Sequence, residues 1–280
     1  MEDRRTRHTE ASATAGASAV AAPKGGLGAP PGENRGRGLG EPFGATERTD
    51  AWWLQPVVQG LALLVLGAYA TWAAFQGNNY ELGNYLSPFY SPLMKPKWWH
   101  LSPALLVLGA PLGFRGTCYY YRKAYYRAFF ADPMACAVGE PRGSGYAGEA
   151  SFPFVLQNIH RYLIYLAIPI LFFLWWDIVR AFTFDGHFGI GVGSLVLLAS
   201  NSLLTMYTFS CHSIRHLVGG RLDCFSCLAA GGPRRKVWET SSWLNAHHMA
   251  WAWWSLCAVC SADLYVRLCA IGVLHDLRLM

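Results

Sequence analysis

The sequence predicts an all-α integral membrane protein, a bundle of five transmembrane helices (residues 51–280) behind a disordered N-terminal tail (residues 1–50). Three observations predict it. Only 14% of the 280 residues are charged, whereas 53% are hydrophobic and 15% aromatic; a soluble domain carries roughly 25% charged residues. Five segments, 53–75, 103–118, 154–178, 190–211 and 243–266, each approach the ~20 apolar residues that cross about 30 Å of hydrocarbon. Finally, with the N-terminus inside, eighteen of the 23 Lys and Arg residues fall on the inner side and five on the outer, as the positive-inside rule requires. The net charge of +6 is then a topology signal, and no nucleic-acid partner is expected.

Taken in order, the tail "ASATAGASAVAAPKGGLGAPPGENRGRGLGEPFG" is rich in Ala, Gly and Pro. It holds too few large apolar side chains to offset its ordering entropy. The first apolar segment starts beyond residue 50 and lacks the cleavage pattern of a signal peptide. The second is the shortest and is expected to continue as a helix through "CYYYRKAYYRAFF". The third opens with Gln157, Asn158, His160 and Arg161, the fourth closes at Cys211, and the fifth opens on "NAHH". Trp52, Trp53, Trp98, Trp99, Trp175, Trp176, Trp238 and Trp243 fall near the expected interfaces, where aromatic side chains anchor.

In this topology most cysteines and histidines collect at the inner face. Cys118 ends the second helix, Cys136 follows in its loop, and His160 opens the third. Cys211, His212 and His216 close the fourth, Cys224 and Cys227 follow, and His247 and His248 open the fifth. Any one of these residues could be a buried small apolar group or a solvated ring. Disulfides are not expected on a reducing cytoplasmic side. Thiols and imidazoles delivered to one face by four helices suit zinc or an iron–sulfur cluster. Helical phase narrows the candidates. Asn201, Thr205, Thr208 and His212 form a polar stripe that faces the bundle interior, because lipid offers polar groups no partner. Cys211 stands beside it. Asn245, His248, Ala252 and Ser255 form a second polar stripe, whereas His247 shares a face with Trp251 and Trp254. The "CFSC" of residues 224–227 is a C-x-x-C pair in a Gly-flanked loop. On its own it is compatible with a metal site or with an ordinary surface loop.

"SIRHLVGG" resembles a stretch of the membrane C subunit of succinate dehydrogenases. The position that would ligate haem, seven residues before His216, is Phe209. "GTCYYYRKAYYRAFF", "DPMACAV", "FPFVLQNIHRY", "CHSIRHLVGG", "WLNAHHMAWAW" and "DLYVRL" together resemble the C subunit of the type-one succinate dehydrogenase of mycobacteria and related actinobacteria, over about residues 50–280. The resemblance implies a plasma-membrane subunit of succinate:quinone oxidoreductase. Its flavoprotein and iron–sulfur partners would dock on the cytoplasmic face, with room for a further small membrane subunit. It also implies a Rieske-type [2Fe–2S] centre in place of haem, held by two Cys and two His. The set expected from it is Cys118, His160, Cys211 and His248, with His212 and Cys136 as substitutes. The soluble Rieske spacing C-x-H then C-x-x-H is absent, so the ligands come from separate helix ends. Arg215 and His216 are the candidates for binding the quinone, menaquinone or ubiquinone, with Tyr162 and Trp243 nearby. The sequence holds no flavin or nucleotide fingerprint and no catalytic residue for dicarboxylate oxidation. Two other readings are a b-haem anchor using His160, His212 and His248, and a non-catalytic membrane scaffold with a structural zinc.

Overall fold

A computed structural model describes residues 42–131, 134–139, 152, 154–184, 186–220 and 222–279. The expected tail lies, for residues 1–41, outside the described residues. Residues 42–50 are held in place: Gly44 and Ala45 exchange backbone bonds with Gly139, the Thr46 hydroxyl donates to Ala137 O, and Arg48 donates to Cys136 O. These contacts join the last residues of the expected tail to a return loop.

The described chain is almost entirely helical. α1 (Leu54–Gln76) is 23 residues long and ends at Gly77, whose φ of 64° gives the left-handed turn that closes the helix. α5 (His160–Ala181), with the 3-10 turn before it, and α6 (Val192–Phe209) are likewise long and apolar enough to cross a membrane. α9 (His248–Ala270) has 23 residues, which at 1.5 Å per residue span about 35 Å. α6 packs along α9, α5 along α6, and α1 against α9.

The second expected span, 103–118, is not one helix. It breaks into α2 (Ala104–Val107) and α3 (Gly109–Gly116), hinged at Leu108. Pro111 lacks an N–H and its ring clashes with the carbonyl four residues back, that of Val107. A second break follows at Cys118, which is extended (φ −62°, ψ 130°) and caps α4 (Tyr119–Phe130). α6 stops at Phe209 rather than running to 211. Cys211, also extended (φ −66°, ψ 141°), caps the short α7 (His212–Gly219). α8 (Gly231–Ala246) leads into α9 through His247.

At the opposite end of the bundle, hairpin β1–β2 (Glu81–Leu82 with Tyr85–Leu86) and hairpin β3–β4 (Thr183–Phe184 with His187–Phe188) cover the helix ends. Asp263 and Arg267 of α9 are buried there, their side chains 0% and 5% exposed and paired at 2.8 Å. Four neighbouring residues bond to the pair. Tyr69 (2.6 Å) and Ser87 donate to Asp263, and Arg267 donates to the carbonyls of Ala73 (2.8 Å) and Asn78 (3.0 Å). The C-terminal segment folds back on the start of α6, where Asp276 accepts from Gly193 N (2.8 Å), Tyr265 (2.7 Å) and Tyr85 (2.6 Å). A carboxylate at a helix N-terminus is favourable. Burial, reinforced by this carboxylate, pushes the Tyr85 phenol up to about 12, so it stays a donor.

Candidate functional site

The breaks after α3 and α6 build the same device twice. A helix ends, a hydroxyl residue follows, then an extended cysteine starts the next helix: Thr117–Cys118 after α3 and Ser210–Cys211 after α6. The other two expected ligands are the first residues of their helices, His160 on α5 and His248 on α9. The four meet at one end of the bundle as two thiol–imidazole pairs. Cys118 Sγ lies 3.3 Å from His248 Nε2, and Cys211 Sγ lies 2.9 Å from His160 Nε2. Both cysteines are buried in one layer with Phe114, Tyr121, Ile164, Tyr207, Ile214 and Ala252.

The hydroxyls fix which nitrogen of each ring is free. Thr117 donates its proton to Gly113 O (2.7 Å), so its oxygen accepts from His160 Nδ1 (3.0 Å). Ser210 donates to Tyr207 O (2.8 Å) and accepts from His248 Nδ1 (2.6 Å). Each imidazole therefore turns the lone pair of Nε2 towards a sulfur. The hydroxyl beside one cysteine orients the histidine that faces the other. Metal-ligating histidines are held in this way through their second nitrogen. Phe114 stacks on the His160 ring (4.5 Å between centroids) and Tyr207 on the His248 ring (5.2 Å). Among the described residues no three His, Cys, Asp or Glu side chains group around a single point; the donors stand as two facing pairs.

The remaining candidates lie elsewhere. His212 is exposed, because the extended Cys211 resets the helical phase that would have carried it inward. Cys136 is exposed in the loop that binds Arg48. Cys224 and Cys227 are joined in a disulfide, against the expectation of free thiols; the three-residue spacing brings them within reach of each other. His247 is exposed, packed on Trp243. His216 is exposed as well, and so are Tyr162 and Trp243. Arg215 donates to Asn245 Oδ1 (3.2 Å), and Asn245 Nδ2 donates to Ser210 O (2.8 Å), which leads back to the residue that holds His248.

Sequence reasoning passed over three residues. Thr117 and Ser210 carry a signal in retrospect, a hydroxyl immediately before each buried cysteine. Arg115 is the third. It is a cation in the bundle that donates to Tyr121 OH (2.6 Å), Ser255 Oγ (2.9 Å) and Ala252 O (3.4 Å), and it lies over the Tyr207 ring at 4.5 Å.

Fold and site define a class: a polytopic helical membrane subunit whose thiols and imidazoles gather at one end of the bundle. The chain belongs to the family of the actinobacterial succinate dehydrogenase subunit SdhC, whose family model matches residues 54–272. Among solved structures it is similar to a chain of the Mycobacterium smegmatis Sdh1 complex in the apo form. The TM-score is 0.75 at 40% identity, covering 86% of this chain and 96% of that one. A search of curated proteins finds no match.

Proposed function

We propose that this subunit anchors the flavoprotein and iron–sulfur subunits of a succinate:quinone oxidoreductase at the plasma membrane, and that Cys118, Cys211, His160 and His248 hold a Rieske-type [2Fe–2S] centre through which electrons reach quinone. The observation that carries the reading is the pair of imidazoles, each locked through Nδ1 by a hydroxyl with Nε2 turned to a buried thiol. The donor set fits the group: two sulfurs and two neutral nitrogens, in a layer closed by aromatic and aliphatic side chains. Such a centre, when bound, carries one electron at a time at a potential above that of an all-thiolate cluster.

The protein's own part is orientation and exclusion. Thr117 and Ser210 fix the rings, and the ring shell of Phe114, Tyr121 and Tyr207 keeps water away. The Arg115 guanidinium, 4.5 Å over the Tyr207 ring, would place a fixed positive charge near the thiolates of a bound centre. Arg215, Asn245 and Ser210 link the exposed His216 end of α7 to His248 by hydrogen bonds. No observation favours the haem reading: His160 and His248 each face a thiol, and His212 faces away.

Iron and acid-labile sulfide analysis of the purified complex tests the proposal, together with electron paramagnetic resonance. The expected result is a rhombic signal with a low average g, lost in Cys211→Ser and His248→Ala. A sharp reduced-haem band, or zinc without iron, would refute it.

A further inference from the structure

We infer that a proton path enters the bundle from the end opposite the thiol–imidazole pairs, through Asp177 and a water-holding cavity lined by Ser200 and Asn201, and that it carries the protons the electron acceptor takes up. This goes beyond the proposed electron path and rests on it.

Asp177 lies on α5, one turn before the helix ends at Ala181. It is a carboxylate within a span apolar enough to cross a membrane, and ionisable groups in such spans commonly relay protons. Its side chain is 14% exposed. Oδ2 accepts from the Ser91 hydroxyl (2.5 Å), whereas Oδ1 has Arg180 at 3.9 Å, beyond hydrogen-bond reach. Arg180 is half exposed, so the carboxylate communicates with the surface at this end. The other elements facing it bring no charge: α6 contains no Asp, Glu, Lys, Arg or His, and neither does the segment 86–91.

Beside Asp177 a cavity lies between α5, α6 and the turn at Leu86 and Pro88. Ser200 and Asn201 line it and are 2% and 5% exposed. The Ser200 hydroxyl and both amide atoms of Asn201 have no hydrogen-bond partner among the described residues. Thr205 and Thr208, further along α6, return their hydroxyls to carbonyls four residues back, as mid-helix hydroxyls commonly do; Ser200 does not. Buried polar groups that the protein leaves unmet are met by ordered water. Water centres have about 10 Å³ of room here, about what one molecule requires.

A second cavity, between α3, α5 and α6, continues towards the thiol–imidazole pairs. Leu174 and Leu204 are walls of both. It has about 30 Å³ of such room, enough for roughly two waters. Thr208, Arg115 and the unpartnered Tyr207 hydroxyl line it. Asn201 and Thr208 are seven residues apart on α6, about 10 Å along the axis, which a few waters span. The second cavity ends at Phe114 and Tyr207, the rings stacked on His160 and His248. Leu174 and Leu204 form a dry step between the cavities, and the path conducts when their side chains turn aside. The balance is simple. Succinate oxidation releases two electrons and two protons at the peripheral subunits, and quinone reduction takes up two of each. With the second pair of protons drawn through Asp177, each turnover removes two protons from the far side.

The test uses the assembled complex in sealed vesicles with a pH dye trapped inside, succinate added outside and a short-chain quinone as acceptor. Succinate does not cross the bilayer, so only complexes with outward peripheral subunits turn over, and the lumen is their far side. The expected result is loss of two lumenal protons per succinate, with the gradient abolished by a protonophore. Asp177→Asn is expected to end this uptake and to slow quinone reduction by about 10²-fold, the low end of general acid–base effects. Succinate oxidation with an artificial acceptor persists and reports assembly. Asn201→Leu and Ser200→Ala delete only unpartnered groups. Each is expected to lower uptake and quinone turnover about tenfold, the size of one lost hydrogen bond, with the quinone KM unchanged and Tm equal or higher. A packing role would instead lower Tm. Where Asp177→Asn fails to assemble, these two variants decide. Normal uptake and turnover in both overturn the inference and leave the cavity waters structural. A wild-type complex with neither iron–sulfur signal nor quinone reduction fails the proposed function and takes this inference with it, whereas a normal signal and normal quinone reduction at constant lumenal pH fail this inference alone.

Discussion

Replacing Ser210 with Ala deletes one oxygen and leaves the His248 Nδ1–H without an acceptor. Ser210 is 0% exposed, so water cannot take its place. An unmet buried donor costs about 1–3 kcal/mol, which at 1.4 kcal/mol per decade is roughly a 5- to 150-fold change. Removing the outer partner of a metal-bound histidine typically costs about 10–100-fold in metal affinity, so the two estimates agree. The backbone carbonyl of Ser210 still holds Asn245, so the fold loses only the side-chain bonds. The assay is loss of iron and labile sulfide from the assembled complex during a chelator challenge, with the paramagnetic line shape recorded alongside. Ser210→Ala is expected to lose iron 10- to 100-fold faster and to broaden the signal, and Thr117→Val should do the same through His160. Thr240→Ala, on the exposed face of α8, is the control. If Ser210→Ala keeps its iron as long as the wild type with the same line shape, His248 is not a ligand oriented through Nδ1.

Other perturbations probe separate parts of the argument. Asp263→Asn leaves Arg267 buried without its charge partner and should cost about 3–5 kcal/mol, read as a lowered Tm in detergent; a joint change of both residues to Leu should recover much of it, and equal losses in the two would count against the ion pair. Cys224→Ser with Cys227→Ser should leave the paramagnetic signal unchanged, because that pair is joined apart from the buried donors, and loss of signal would return the loop to the ligand set. Cysteines introduced for Ala230 and Lys97, with the exposed native thiols replaced by Ser, test sidedness: in whole cells an impermeant label should reach residue 97 and not residue 230, and the reverse would invert the topology.

Much of this site was legible in the sequence because membrane helices expose their chemistry through phase. The stripe of Asn245, His248, Ala252 and Ser255 singled out His248 over His247, and in the structure His248 packs against Cys118 while His247 is exposed. The same reasoning went astray at His212 because it extrapolated an unbroken helix through residues 210 and 211. A one-residue extended step turned Cys211 inward and His212 outward. The break at Leu108 could have been anticipated from Pro111, although the direction in which α3 then runs depends on its packing against α5. That direction puts Arg115 over Tyr207, so the buried cation could not be found from spacing alone. Residues 271–279 lie beyond the last expected span. Their return across the start of α6 depends on Asp276 finding the free N–H of Gly193, a long-range pairing with no periodic signature.

The buried Asp263–Arg267 pair bears on how the protein is made. Asp and Arg oppose translocon insertion by about 2.5–3.5 kcal/mol each at a helix centre and by less towards an end, where this pair lies, and α9 is not among the described helices apolar enough to cross a membrane by composition. Its polar partners, Tyr69, Ala73, Asn78 and Ser87, belong to the first helix and the loop after it, made nearly 200 residues earlier, since Tyr69 and Asp263 are 194 apart. The last helix is thus a poor substrate for insertion by itself and a good one beside a waiting first helix. Synthesis order becomes an assembly checkpoint: a chain whose α1 and following loop are misplaced leaves α9 stranded with two charges exposed to lipid, as a target for membrane quality-control proteases.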